Sequence, residues 1–145
     1  MRRVLVAFVV LLFVAAPAAQ AARPSVTFQR KTVTRLAATG KSIRALPRGR
    51  AIQFDVAYIV RNTPARLRAK AQVFVKVSRG ATVLRLRTTK ATTSTGNWRW
   101  VLKGAAVRIP ASFPAGTYTV RVWVDVTRGR TRLSRAAHAW HATVT

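Results

Sequence analysis

The sequence predicts an all-β fold in which two antiparallel sheets pack as a sandwich. Apolar residues alternate with polar ones along most of the chain, and valine, isoleucine, threonine and aromatic residues fill the alternating runs. Turn-forming glycine, proline and asparagine residues separate these runs. A small closed barrel is the alternative arrangement of the same strands.

The N-terminal segment is predicted to be a secretory signal peptide rather than part of the fold. Met1-Arg2-Arg3 is a cationic start, residues 4–14 are continuously apolar, and Ala19-Gln20-Ala21 fits the small-x-small cleavage rule. An uncleaved membrane anchor is the alternative, although a proline and a glutamine interrupt the run before about 20 apolar residues are reached. We therefore expect a signal helix over residues 1–21 and a secreted or envelope-associated domain over residues 22–145.

The first four strands follow from short alternating runs. Residues 25–35 carry the weakest pattern, and residues 51–61 carry a row of five apolar side chains. Three valines alternate with polar residues in 70–78, and the turn at Arg79-Gly80 leads to two alternating leucines in 81–88.

The last three strands are predicted at residues 98–108, 117–127 and 132–144. Trp98 and Trp100 share a row with a leucine, which favours two core aromatics over a stacking platform for bases or sugars. The central strand of the three has one row of Tyr and Val, and the third has only weak alternation. Seven short strands spaced in this way are typical of a sandwich.

The amino-acid composition excludes several classes of protein. The chain has 145 residues, half of them hydrophobic, so it is not a disordered polybasic tail. It has no Cys, which excludes disulfide scaffolds, Cys-ligated zinc modules and thiol enzymes. The 27 Lys and Arg against 2 Asp and Glu give a formal net charge of +25, which indicates an anionic partner.

Residues 114–120, Pro-Ala-Gly-Thr-Tyr-Thr-Val, resemble the entry to the sixth strand of immunoglobulin-like sandwiches. Tyr118 matches the family's tyrosine corner, whose hydroxyl bonds to the backbone near the preceding turn. Val120 lies where antibody domains have a Cys, and the third strand lacks their Trp. The resemblance is therefore to bacterial immunoglobulin-like and fibronectin-III-like modules, and it implies a seven-stranded antiparallel immunoglobulin-like β-sandwich.

The sequence predicts no catalytic, cofactor-binding or metal-binding residues. Asp55 and Asp125 are the only acids, and we expect both to be exposed, on opposite sheets. His138 and His141 are three residues apart on a strand, so they point to opposite faces and do not share a metal. Trp123 lies opposite the valine row of its strand and is predicted to be an exposed aromatic.

A basic patch at one end of the sandwich is the predicted binding site. In the implied topology the loops after strands two, four and six meet at one end, where their bases would attract polyanions. The predicted polyanion-binding residues are Arg66, Arg68, Lys70, Lys90, Arg128, Arg130 and Arg132. A uniformly basic surface without a site is the alternative.

Two functional hypotheses follow from these observations. The first is a secreted, non-enzymatic accessory or adhesion module, held near the anionic cell envelope by charge and binding a protein or glycan partner. The second is a dedicated binder of polyanions, namely extracellular nucleic acid, anionic wall polymer or acidic lipid. No cofactor is expected for either.

Overall fold

The computed structural model describes residues 23–63, 69–93, 96–103 and 106–145, with the backbone alone for 86–93 and 96–103. The predicted signal peptide over residues 1–21 lies outside these residues. The strands are β1 (Ser25–Phe28), β2 (Val33–Leu36), β3 (Ala51–Thr63), β4 (Ala69–Arg79), β5 (Thr82–Thr93), β6 (Gly96–Lys103), β7 (Val107–Arg108), β8 (Gly116–Arg128) and β9 (Thr131–Val144). The described residues contain no helix of a length and apolarity that could cross a membrane.

The strands form two antiparallel sheets. In the five-stranded sheet β3 is central, with β1 and β2 on one side and β6 and β7 on the other. The four-stranded sheet has the order β5-β4-β8-β9, so β9 is an edge strand. The predicted all-β fold with two antiparallel sheets is therefore confirmed, and it is consistent with a sandwich.

The number of strands differs from the seven predicted because two predicted runs are divided. Phe28 pairs with Tyr58, whereas Val33 pairs with Asp55. Five residues thus separate these two positions along the chain from β1 to β2, whereas three separate their partners on β3. The two extra residues have no partner in the β-sheet pairing. The run predicted at 98–108 is likewise divided into β6 and β7.

The core lies between the two sheets, and much of its described part is one row of side chains from each of β3, β4 and β8. Four valines of β8, from Val120 to Val126, are fully buried, and Val73, Val75 and Val77 of β4 pair with them in register. Phe54 and Tyr58 are among the largest fully buried side chains of the facing sheet. Each buried valine removes enough apolar surface to stabilise the fold by about 1.5–3 kcal/mol.

Two hairpins fix the register of the four-stranded sheet. Gly80 and Gly129 have φ of 53° and 56°, which glycine adopts without steric cost, and they lie in the β4–β5 and β8–β9 turns. A β-bulge between Val126 and Thr127 then shifts the β8–β9 register by one residue. This bulge decides which side chains meet on the outer face of the sheet.

Candidate polyanion-binding surface

The two acidic side chains of the sequence are both neutralised within the fold. On the outer face of the four-stranded sheet, Arg135 donates two hydrogen bonds to Asp125, from Nε to Oδ1 at 2.6 Å and from Nη2 to Oδ2 at 2.7 Å. Such a bidentate pair is the strongest common form of side-chain ion pair. The side-chain hydrogen bonds to Asp125 raise the pKa of the Arg135 guanidinium; burial opposes this increase, and the negative charge of Asp125 adds to it.

Asp55 has an equivalent arrangement on the other sheet. Arg35 Nε donates to its Oδ2 at 2.7 Å, and Gln53 Nε2 donates to its Oδ1 at 2.9 Å. Asp55 and Asp125 are only 7% and 8% exposed. The prediction that they lie on opposite sheets is confirmed, but the prediction that they are exposed is wrong, since arginine side chains from neighbouring strands cover them.

The cationic side chains lie at the surface and have no further acid to pair with. Every described Lys and Arg side chain is exposed or half-buried. Because the sequence has only two acidic residues, and each is bound to one arginine, the remaining bases have no acidic side chain opposite them. The described surface therefore carries an excess of positive charge, whose field extends about one Debye length, ~8–10 Å, into the solvent.

The strand registers bring part of the predicted basic patch to one end of the four-stranded sheet. Lys70 pairs with Thr127, and Thr127 pairs with Arg132, so the two bases lie in one row, about 10 Å apart across β8. Arg128 ends β8 and Arg130 lies in the turn that follows. All four bases are exposed.

The other members of the predicted patch are placed differently. Lys90 lies within β5 and pairs with Gln72, so it is part of the sheet rather than of the loop where it was predicted. Arg66 and Arg68 lie outside the described residues. Exposed bases also occur towards the opposite end, where Arg48 and Arg50 precede β3.

Trp123 is half-buried rather than fully exposed. Its ring stacks on that of Phe74 from the neighbouring strand, with centroids 5.1 Å apart and planes 5° from parallel. The guanidinium carbons of Arg121 and Arg135 lie 5.9 and 5.8 Å from its centroid, within cation–π range. The side chains of Trp98 and Trp100, which were predicted to be in the core, lie outside the described part of the chain.

The two histidines lie on different faces of β9. His138 is half-buried, with its ring edge-on to Phe28 at 4.9 Å and stacked on Trp140 at 5.1 Å, whereas His141 is exposed. Burial lowers the pKa of His138 below its usual 6.5. Within the described ranges, no three His, Asp or Glu residues cluster closely enough to hold a metal ion.

Folding stability is expected to fall as the pH drops below about 6.5. His138 has the lower pKa in the folded protein, so the unfolded chain takes up its proton first, and ΔG of unfolding decreases until the folded-state pKa is passed. Urea unfolding between pH 5 and 8 measures this effect. His138→Gln should remove the slope, whereas His141→Gln should keep it; an unchanged slope in His138→Gln would contradict the assignment.

Tyr118 fixes the entry to β8. Its hydroxyl donates to the carbonyl oxygen of Pro114 at 2.9 Å, and its ring stacks on Phe113 with centroids 5.6 Å apart. Arg79 lies over the ring, 5.7 Å from its centroid, and donates to the carbonyl oxygen of Ala115 at 2.7 Å. The turn before β8 is thus held by side chains from two strands.

No protein-family model and no curated protein matches this chain.

Proposed function

We propose that the protein is a secreted, non-enzymatic immunoglobulin-like module that is held at the anionic cell envelope by its basic surface and acts there as an accessory or adhesion protein. One observation carries the proposal: both acidic side chains are bound to arginines, so the exposed cations have no acidic side chain to pair with. Anionic polymer is the counterpart that such a surface attracts, through its field and through release of counterions.

The positions and ion pairs of the two acidic residues support a non-enzymatic function. Glycoside hydrolysis needs two carboxyl groups on either side of one bond, about 5–9.5 Å apart. Here Asp55 and Asp125 belong to different sheets, lie on outward-facing rows and are each paired with an arginine. Both act as structural counter-ions.

The immunoglobulin-like character is supported by the geometry at Tyr118. In that family a tyrosine at the start of the sixth strand bonds to the backbone a few residues upstream. Tyr118 makes a bond of this kind to Pro114, four residues earlier. The fold assigned in this way carries no function by itself, because such sandwiches host many roles.

A dedicated polyanion site at the end of the sheet is the second candidate. The observation in its favour is the row formed by Lys70 and Arg132, with Arg128 and Arg130 immediately beyond it. Arg66 and Arg68 lie in the sequence between β3 and β4, and we propose that they contribute to the same site. A phosphate or carboxylate polymer lying across this end of the sheet would meet the ammonium group of Lys70 and the guanidinium groups of the three arginines at once.

Removal of charge at the two ends tests both candidates. The variant in which Arg66, Arg68, Arg128 and Arg130 are replaced by Ser is compared with the one in which Lys41, Arg44, Arg48 and Arg50 are replaced by Ser. Each variant loses four bases, so the change in net charge is matched. A dedicated site predicts an affinity for duplex DNA and anionic wall polymer about tenfold lower in the first variant than in the second.

Each outcome of this comparison is informative. Equal losses in the two variants would support the uniformly basic module and remove the dedicated site. Affinity that stays at the wild-type value in both would overturn the proposal that charge holds the protein at the envelope.

A further inference from the structure

The outer edge of β9 is open along its middle. Leu46 donates its N–H to the carbonyl oxygen of Thr143 at 2.7 Å and accepts from the N–H of Thr145 at 3.2 Å. Odd-numbered residues of β9 from Arg135 onward, past the bulge, therefore direct their backbone groups away from β8, because these groups alternate along a strand. No backbone group of the described residues bonds to this edge between residues 135 and 141.

A groove runs beside this open edge. It comprises adjoining pockets of about 340, 370 and 400 Å³ between β9 and the chain around β2. Phe28, His138 and Trp140 supply aromatic surface, and all three are half-buried. Thr32 also lines the groove, and its buried Oγ1 makes no hydrogen bond within the described part of the protein.

The rim of the groove is cationic. Arg30, Lys31 and Arg44 line it and are exposed, and none of the three makes an ion pair with a described residue. A second copy of this chain would bring its own uncompensated positive charge to the edge and be repelled. An acidic partner is complementary to the same rim.

We infer that the β9 edge between Arg135 and His141 binds an extended acidic peptide by strand addition. The backbone of the peptide pairs with the free N–H and C=O groups of Ala137, Ala139 and His141. Alternate apolar side chains of the peptide pack against His138 and Trp140. Its carboxylates lie on the other face of the added strand, the face that carries the exposed Arg121 opposite Ala139, and within the field of the basic rim. Hydrogen bonds between the two main chains supply the affinity. The alternation of apolar and acidic side chains along the peptide supplies the selectivity for its sequence.

The probe is a synthetic eight-residue peptide in which valine alternates with aspartate, labelled for fluorescence anisotropy. Two further peptides carry N-methyl groups, one on every valine amide and the other on every aspartate amide. Only alternate amides of an added strand face its neighbour, so we expect one methylated peptide to bind about tenfold more weakly and the other to bind like the parent. All three have the same charge, which makes the comparison independent of the basic surface.

A substitution in β9 tests the same main-chain hydrogen bonds on the protein rather than on the peptide. Ala139→Pro removes an N–H that points away from β8, and proline is tolerated at such an edge position. We expect about tenfold weaker peptide binding, whereas Ala139→Thr, which keeps the N–H, should bind like wild type. Unfolding midpoints of both variants show whether the fold is retained, and the methylated peptides test the proposal on unaltered protein.

Several results would overturn the inference. Equal binding of both methylated peptides would mean that charge alone attracts them. A peptide with asparagine in place of aspartate that bound as tightly as the parent would exclude an acidic partner. Self-association of the wild type that Ala139→Pro abolishes would identify a second copy as the occupant instead.

Discussion

Affinity for duplex DNA should fall by roughly 10⁴ between about 50 and 200 mM salt if about seven phosphates are contacted. The bases that meet the polymer have no intramolecular acid to displace, so each contact releases a counterion from the polymer. The logarithm of the affinity should therefore fall with the logarithm of salt concentration with a slope of about −6. Anisotropy titrations of a labelled duplex at four or more salt concentrations measure this slope.

The slope also separates the two functional candidates. A uniformly basic module should lose DNA and anionic wall polymer together as salt rises, with no preference between them. A dedicated site should retain one of them selectively at high salt, because fixed hydrogen bonds to its ligand are less sensitive to screening. A slope shallower than about −2 would indicate that few phosphates are contacted and would contradict both candidates.

The strands were largely predictable because the period of two is a local property of the sequence. β4, β8 and β9 begin and end within one residue of their predicted bounds. The division of the first predicted strand was not predictable in the same way, because it depends on where Phe28 and Val33 find partners on β3. Such pairing is set by packing between segments that are distant in sequence. The alternation of residues within a single strand carries no information about it.

The burial of Asp125 shows why the surface was harder to predict. The two-residue turn at Gly129 places Arg128 opposite Thr131, and continuing that register would put Ser134 opposite Asp125. The bulge after Val126 moves Arg135 into this position instead, and the ion pair follows. One inserted residue thus converts an expected exposed carboxylate into a buried counter-ion.

The basic end and the groove differ in how far the sequence could reveal them. Lys70, Arg128, Arg130 and Arg132 follow from the strand order, since consecutive antiparallel strands return to the same end of a sheet. The groove depends on the two extra residues between β1 and β2. The path of these residues cannot be predicted from the alternation of apolar and polar residues in the sequence. The open edge of β9 becomes visible only when the bonds of Leu46 show which backbone groups point outward.

Replacement of Tyr118 by Ala should lower the free energy of unfolding by about 3–5 kcal/mol, the range for deletion of a buried aromatic ring. The side chain is 1% exposed and contacts Phe113 and the guanidinium of Arg79, so the deletion leaves a cavity beneath the turn. Tyr118→Phe keeps the ring and removes only the bond to Pro114, which should cost about 0.5–1.5 kcal/mol. Guanidinium unfolding followed by tryptophan fluorescence measures both losses.

Thr117→Val is the matched control, because Thr117 is the exposed neighbour on the opposite face of β8, and the change should stay within about 0.5 kcal/mol. If Tyr118→Phe is as stable as wild type, the hydroxyl does not hold the turn, and the support that this bond gives to an immunoglobulin-like fold is lost. If Tyr118→Phe costs as much as Tyr118→Ala, the bond to Pro114 outweighs ring packing. The ratio of the two losses therefore separates a tyrosine that fills the core from one that fixes the entry to β8.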